Sequence, residues 1–349
     1  MAASYVFAGA GTWRGGSVAG AFRLTVGEGQ WAHLKNGLPD PASVHTITVH
    51  PQNPELIYAG TQDGPYYSTD RGEHWHRPDF PDRNVQIWSI LVHPTEPKTI
   101  FAGAAPVAIY RSDDSGEHWR LLARPILPER AKMPFPCRVM RIAMEPQQLQ
   151  NLYATIEVNG VMRSRDGGAT WGDCSADLVR LAMEPRLKSK LVSDTEAEGM
   201  LDGHALCVTA ADPGAVYLAC RMGLFRSGDG GDRWDDLEVG RFSPLTYARD
   251  IRPAPQDPRT LYACLSVHAT GDTGSLAVSR DLGQTWRRID HGVALKATMM
   301  NLALHQRDPL QVCGVARNGQ VIGTQDGGAS WHEYRLPPGC EDVYTVACG

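Results

Sequence analysis

A phrase of turn residues followed by an alternating apolar run recurs along the chain. His50, Pro51 and Pro54 lead into Leu56 to Gly60, and His93, Pro94 and Pro97 lead into Ile100 to Gly103. Asp212-Pro213, Asp257-Pro258 and Asp308-Pro309 open the same kind of run before Tyr217, Tyr262 and Val312. Proline-rich turn chemistry ahead of apolar alternation marks a strand–turn–strand unit.

Downstream of each run stands a second phrase, S/T-x-D-x-G-x-x-W. It occurs in full six times, with its tryptophan at Trp75, Trp119, Trp171, Trp234, Trp286 and Trp331. The Asp carboxylate can accept backbone N–H groups inside the turn, and the Gly permits the positive φ of a tight connection. The Trp opens the next strand and buries a large ring, worth at most about 4–6 kcal/mol at about 25 cal/mol per Å². The box is therefore read as a folding device, not as catalytic machinery. A degenerate seventh copy, Thr25 to Trp31, keeps the Trp and has lost the Asp.

Successive box tryptophans lie between 44 and 63 residues apart (75 to 119; 171 to 234). That period suits a four-stranded propeller blade. Each blade reads as strand A before the proline turn, B after it, C into the box and D out of it. Ser4 to Gly9 matches a strand B with no strand A before it, and Glu341 to Cys348 matches a strand A with no strand B after it. Pairing these two ends completes the first blade and removes two sheet edges. The prediction is an all-β chain, one seven-bladed β-propeller over residues 1–349 with Asp-box turns, its blade 1 closed by the C-terminal strand.

The chain has 349 residues, 34 Lys plus Arg against 39 Asp plus Glu, and a formal charge of -5. Mild acidity without a basic cluster argues against nucleic acid as the main partner. No apolar run approaches the roughly 20 residues of a membrane helix. The N-terminus lacks the basic and apolar regions of a signal peptide, so the expected location is cytoplasmic. The eight cysteines form no C-x-x-C pair and several sit in apolar strands, as Cys264 and Cys313 do, which reads as buried reduced thiols.

The boxes resemble those of the Asp-box, or bacterial-neuraminidase-repeat, propellers, a group that includes sialidases, xyloglucan hydrolases, sortilin and a photosystem II assembly factor. The resemblance covers nearly the whole chain and implies the fold; it implies no single activity, because the repeat is a scaffold. A sialidase resemblance implies six blades and an Arg-Ile-Pro phrase, and the nearest sequence here is Arg138-Val-Met. A xyloglucanase resemblance implies two facing propellers, and this chain supplies one.

In such a fold the boxes occupy one face, and the B–C loops and blade-to-blade connections occupy the other. Ligands are expected at the channel mouth on that second face. Aligning the seven strand A segments by their proline phrases gives three rows. Ile47, Ile90, Ile142, Leu206, Ile251, Leu302 and Val346 read as uniform core packing. The two preceding rows are chemically diverse: His45, Trp88, Met140, His204, Arg249, Met300 and Tyr344; and Thr46, Ser89, Arg141, Ala205, Asp250, Asn301 and Thr345. A few convergent polar groups among aromatic walls are what a small-molecule site needs.

His45 and His204 are the candidate general bases, or else structural histidines capped by backbone groups. Arg141 and Arg249 are candidate clamps for a carboxylate or phosphate, with an internal salt bridge to Asp250 as the plain alternative. Asp250 is a candidate orienter of a histidine or acid–base group. Trp88, Tyr247 and Tyr344 can wall a pocket or pack a core. Loops on the same face add Trp13, Arg14, Asp63, Glu157, Arg221, His268 and Arg317. No cofactor is expected; His45, His204 and His268 are a weak candidate metal set, with no short H-x-H spacing behind it.

Two long connections interrupt the rhythm: the proline-rich Arg124 to Pro136, and Asp173 to Gly203, whose Thr195 to Leu201 stretch suits a short helix. The second, residues 173–203, is a candidate lid, with a solvated insertion or subunit contact as the alternative. The reading that follows is a small-molecule-binding propeller, a hydrolase or lyase acting on a small polar or anionic substrate. The alternatives are a non-catalytic propeller that binds or assembles a protein or peptide, and a glycan hydrolase, which needs two carboxylates across a cleft.

Overall fold

The boxes fold as their residue types require. In the computed structural model, which describes residues 4–12 and 16–349, the Ser227 hydroxyl donates to the Asp229 carboxylate (2.8 Å) and accepts the Gly231 N–H (2.7 Å). The same carboxylate accepts the N–H of Arg233 at 2.9 Å. The other five boxes repeat this set, with Thr324 in the place of Ser. Gly231 has φ of 103°, closed to a residue with a Cβ except under strain. The position before it is also left-handed in every box: Gly in three, but Arg71, Ser115 and Leu282 in the others, at φ of 59°, 64° and 58°.

The tryptophan secures the turn as well as the core. In the boxes of Trp119, Trp171, Trp234 and Trp286 the indole N–H donates to the carbonyl of the box glycine, as from Trp119 to Gly116 and Trp286 to Gly283, whereas Trp331 donates to Ile289. Trp234 donates to both Gly231 (3.0 Å) and Cys174 (3.1 Å).

These turns lower the pKa of their aspartates. The Thr170 hydroxyl and N–H, with the Ser164 hydroxyl, pull the Asp166 carboxyl down to about 2. A carboxyl depressed in the folded state adds stability above its unfolded pKa of about 3.9 and loses it as pH falls through the folded value. The melting temperature is therefore expected to hold above pH 4 and fall between about 4 and 2. Asp166→Asn, followed by calorimetry across that window, is expected to melt lower at pH 6 and to lose less on acidification.

Seven antiparallel sheets surround one axis. Their innermost strands are Val343–Cys348, Val44–Val49, Gln86–Val92, Val139–Met144, Gly203–Cys207, Tyr247–Pro253 and Met299–Leu304. The first blade is composite as predicted: Val343–Cys348 pairs antiparallel with Tyr5–Ala10, Phe7 opposite Ala347. Blade 2 departs from the prediction. It has three regular strands, and its strand D is reduced to the single bridge Tyr67–His76. Pro78, two residues on, has no N–H for the ladder, and the chain turns off to bridge Asp79 with His118 of blade 3.

The core is divided among the gaps between blades. Seven hydrophobic clusters occupy the seven interfaces, and the box Trp packs between its own blade and the one before. Trp234 of blade 5, for example, meets Tyr153 and Val161 of blade 4. All eight cysteines are free, and seven of them are buried. Among the described residues no helix is long and apolar enough to cross a membrane.

Residues 173–203 are a packed unit. Helices Ala176–Leu181 and Glu198–Leu201 send Leu178, Leu181, Met200 and Leu201 into the interface of blades 4 and 5. Buried Glu198 accepts the N–H groups of Leu191, Val192 and Ser193, each at 2.8–2.9 Å, and so ties down the turn between the helices.

Candidate functional site at the channel mouth

Two adjacent residues of a regular strand face opposite ways, so rows 45 and 46 should not share a cavity. A β-bulge at one equivalent position in all seven inner strands overrides that rule. The pairing skips His45, Trp88, Met140, His204, Arg249, Met300 and Tyr344. A bulge re-aims side chains, and all seven of these residues line the axial cavity together with Thr46, Ser89, Arg141, Asn301 and Thr345. Its volume, about 460 Å³, lies in the ordinary range for small-molecule sites. The row below is less uniform than the core ring read from the sequence: Ile47, Ile90 and Ile142 also touch the cavity.

The Thr46 row forms a polar floor. Asp250, fully buried, accepts hydrogen bonds from Arg141 Nη2 (3.0 Å), Arg252 Nε (2.9 Å) and Asn301 Nδ2 (2.7 Å). It also accepts the N–H of Ile251 (3.0 Å) and Leu302 (3.2 Å). Arg141 belongs to blade 4 and Asp250 to blade 6. The guanidinium spans blade 5, where the equivalent residue is the small Ala205. Asn301 continues the network to Thr345 and the N–H of Val346. The internal salt bridge of Asp250 is thus to Arg141 and Arg252; its hydrogen bonds reach neither His45 nor His204.

Above the floor the ring divides into two halves. Blades 1 to 3 contribute Tyr344, His45 and Trp88. His45 stacks on Trp88 with centroids 4.0 Å apart and planes 4° from parallel, and Tyr344 stands edge-on to both at 5.6 and 5.5 Å. The Arg138 guanidinium lies 4.2 Å from the Trp88 ring and is paired with Glu157 at 2.9 Å. Burial, and then the charge of Arg138, bring the His45 pKa down to about 3. His45 is therefore neutral. Its Nε2 meets the Ser43 hydroxyl at 3.3 Å, while its buried Nδ1 has no hydrogen bond of ordinary geometry.

Blades 5 and 6 contribute the polar half. His204 Nδ1 donates to the Ala248 carbonyl at 2.7 Å, which leaves Nε2 as acceptor for the Tyr247 hydroxyl at 3.3 Å. Burial first, and Arg249 second, lower the His204 pKa. Asp202, from the end of the 173–203 insertion, lies 3.3 Å from Nε2 and is clasped by Arg221 at 2.7 Å. Arg249 donates to the Tyr247 hydroxyl at 3.4 Å. Its Nε is buried without a partner, and among the described residues no carboxylate lies within 4.0 Å of its guanidinium.

The structure therefore brings His45, Trp88, Arg141, His204, Arg249 and Tyr344 to one cavity, with Tyr247 behind His204. His268 stands apart, exposed in its loop with Nδ1 near the Thr270 N–H. His45, His204 and His268 accordingly do not gather their ligand atoms as a metal site would require. The one such group among the described residues is Asp114, Glu117 and His118 on the opposite, box face. Of the loop candidates, Asp63 pairs with Arg77, Glu157 with Arg138, Arg221 with Asp202, and Arg317 lies 3.6 Å from Asp342. Trp13 and Arg14 lie outside the described residues. Sequence reasoning missed Asp202 and Arg252. Arg252 sits two residues from Asp250 on one strand, a spacing that shares a strand face, whereas Asp202 ends the helix before the strand that carries His204.

The chain is thus a seven-bladed β-propeller whose blades carry six Asp-box turns. The BNR/Asp-box repeat model matches residues 66–77, the turn of blade 2. No curated protein matches the chain. Among solved structures, it is similar to a GH74 xyloglucanase from Xanthomonas campestris, with a TM-score of 0.64 and 15% identity over 98% of this chain. The chain spans about half that enzyme's length, 52%. It is also similar to YCF48 from Cyanidioschyzon merolae, with a TM-score of 0.56 and 15% identity over 88% of this chain and 91% of that one. A YCF48 structure bound to D1 peptide gives 0.54, 15% and 88% of each chain. Such identities speak for the fold alone; the neighbours include both enzymes and non-catalytic propellers.

Proposed function

We propose that the channel mouth is a receptor site for a small anion, a carboxylate or phosphate ester, held by Arg249 with Arg141 beneath it. The observation that carries this reading is Arg249, a guanidinium on the cavity wall that among the described residues has one long hydrogen bond, to Tyr247, and no carboxylate within 4.0 Å. Asp202 and Glu157 favour its charge from a distance, but each is held by another arginine, so the buried guanidinium keeps N–H groups with no direct anionic partner among the described residues. An incoming oxyanion would supply the missing partner and could accept paired N–H groups from the planar fork. The floor adds two more guanidiniums, Arg141 and Arg252, against the single carboxylate of Asp250.

The finer reading, an enzyme of the hydrolase or lyase class, rests on a separate feature: Arg249, Tyr247 and His204 are hydrogen-bonded in series. Such a series can pass a proton between the Tyr247 hydroxyl and His204 Nε2, with the Arg249 N–H held on the tyrosine oxygen. A glycan hydrolase would need two free carboxylates across the cleft; Glu157 and Asp202 are each engaged by arginine and Asp250 is sealed in the floor.

The test is a melting screen with acetate, succinate, phosphate esters and neutral sugars. A bound anion at 100 times its Kd stabilises by about 2.7 kcal/mol. Anions are expected to raise the melting temperature and sugars to leave it unchanged, with Arg249→Met abolishing the anion effect. Equal shifts in wild type and Arg249→Met would refute the assignment.

A further inference from the structure

The mouth ring is asymmetric in a way that specifies more than charge. Its aromatic members come from three consecutive blades, 1 to 3, and its cationic member, with His204 beside it, from blades 5 and 6. A methionine, Met140 or Met300, stands at each seam between the halves. The aromatic half is also shaped. His45 and Tyr344 have planes 83° apart, so they form a corner, and Trp88 backs His45. With His45 stacked at 4.0 Å and Arg138 at 4.2 Å, both faces of Trp88 are taken, and the surfaces left to a ligand are those of His45 and Tyr344.

From this arrangement we infer that the ligand is an aromatic carboxylate, its ring set in the His45–Tyr344 corner and its carboxylate on Arg249. The inference rests on the anion reading above and adds the chemical class. A planar ring can lie offset on one member of the corner and present its edge to the other, the two arrangements aromatic pairs prefer. His45 suits that role because it is neutral and offers the carboxylate no competing charge. The thioethers at the seams are flexible and favour contact with ring edges.

Calorimetric titration of the unaltered protein with benzoate, cyclohexanecarboxylate, glucuronate and acetate tests the class. Benzoate is expected to bind at least tenfold tighter than acetate and about fivefold tighter than cyclohexanecarboxylate, the aromatic pairing making the second difference. Tyr344→Leu is expected to erase the preference over cyclohexanecarboxylate and leave acetate unchanged; Tyr344→Phe is expected to keep it. Equal affinity for benzoate, cyclohexanecarboxylate and acetate would overturn the aromatic assignment while leaving the anion site standing. Tighter binding of glucuronate than benzoate would do the same. If no anion binds at all, the site itself fails and this inference with it. The ligand series needs no variant, so a destabilised Tyr344→Leu protein would not remove the test.

Discussion

Asp250→Ala is expected to be among the most destabilising single substitutions in this chain, at about 3–5 kcal/mol, because it strips the counter-charge from a buried cluster. Its carboxylate accepts five hydrogen bonds from the inner strands of blades 4, 6 and 7 and is fully buried. Removing it leaves Arg141 and Arg252 facing each other and the Asn301 Nδ2 without its acceptor. Asp250→Asn keeps the shape but turns an amide N–H toward a guanidinium, so it is expected to fall between wild type and the alanine variant. Urea unfolding monitored by tryptophan fluorescence measures both. An Asp250→Ala midpoint within error of wild type would mean that the floor adds nothing to the closure of the ring. An Asp250→Ala protein that folds fully yet loses anion binding would assign Asp250 to the site and not to the scaffold.

The second large effect is expected at Trp234. Its ring is 2% exposed, fills the gap between blades 4 and 5, and donates to two carbonyls. Replacing such a ring by alanine costs about 3–5 kcal/mol. Trp171, only partly buried, is the natural comparison; its alanine variant is expected to cost clearly less by the same urea measurement. The contrast separates two contributions of the box Trp. Both indoles bond the box glycine, so a difference between the variants reports interblade packing. Equal losses would place the stabilisation in the turn.

The fold was legible because the box is a local device whose chemistry is complete within eight residues. The period of the boxes supplied the blade count, and the matching halves of strand pairs at the two ends supplied the closure. Blade 2 was read as four-stranded because its box is intact. What removed strand D lies just beyond the box, at Pro78, where a missing N–H cannot be seen in the repeat phrase. The candidate site was legible as an aligned row of dissimilar residues, His45 to Tyr344. That row 46 shares its cavity was not derivable from alternation, since a bulge changes the direction of a side chain without changing the apolar pattern around it.

Charge partners were the least legible part. Arg249 beside Asp250 in sequence suggested a neighbouring salt bridge. Around the ring, however, Asp250 turns to Arg141, two blades away, across the gap that Ala205 leaves. Asp250 is sealed in the floor, whereas the bulge aims Arg249 into the cavity. Among the described residues no carboxylate lies within 4.0 Å of the Arg249 guanidinium, a pairing pattern that sequence spacing does not reveal. The 173–203 insertion was read as a candidate lid. Its helices pack into the flank of blades 4 and 5, and its end brings Asp202 to 3.3 Å from His204.

The most direct measurement is a crystal structure of the protein with 4-bromobenzoate bound, the bromine located by its anomalous scattering. The carboxylate is expected against Arg249 and the bromine peak in the corner between His45 and Tyr344. A peak confined to the box face, or an Arg249 side chain found closed on a carboxylate of its own chain, would contradict the account.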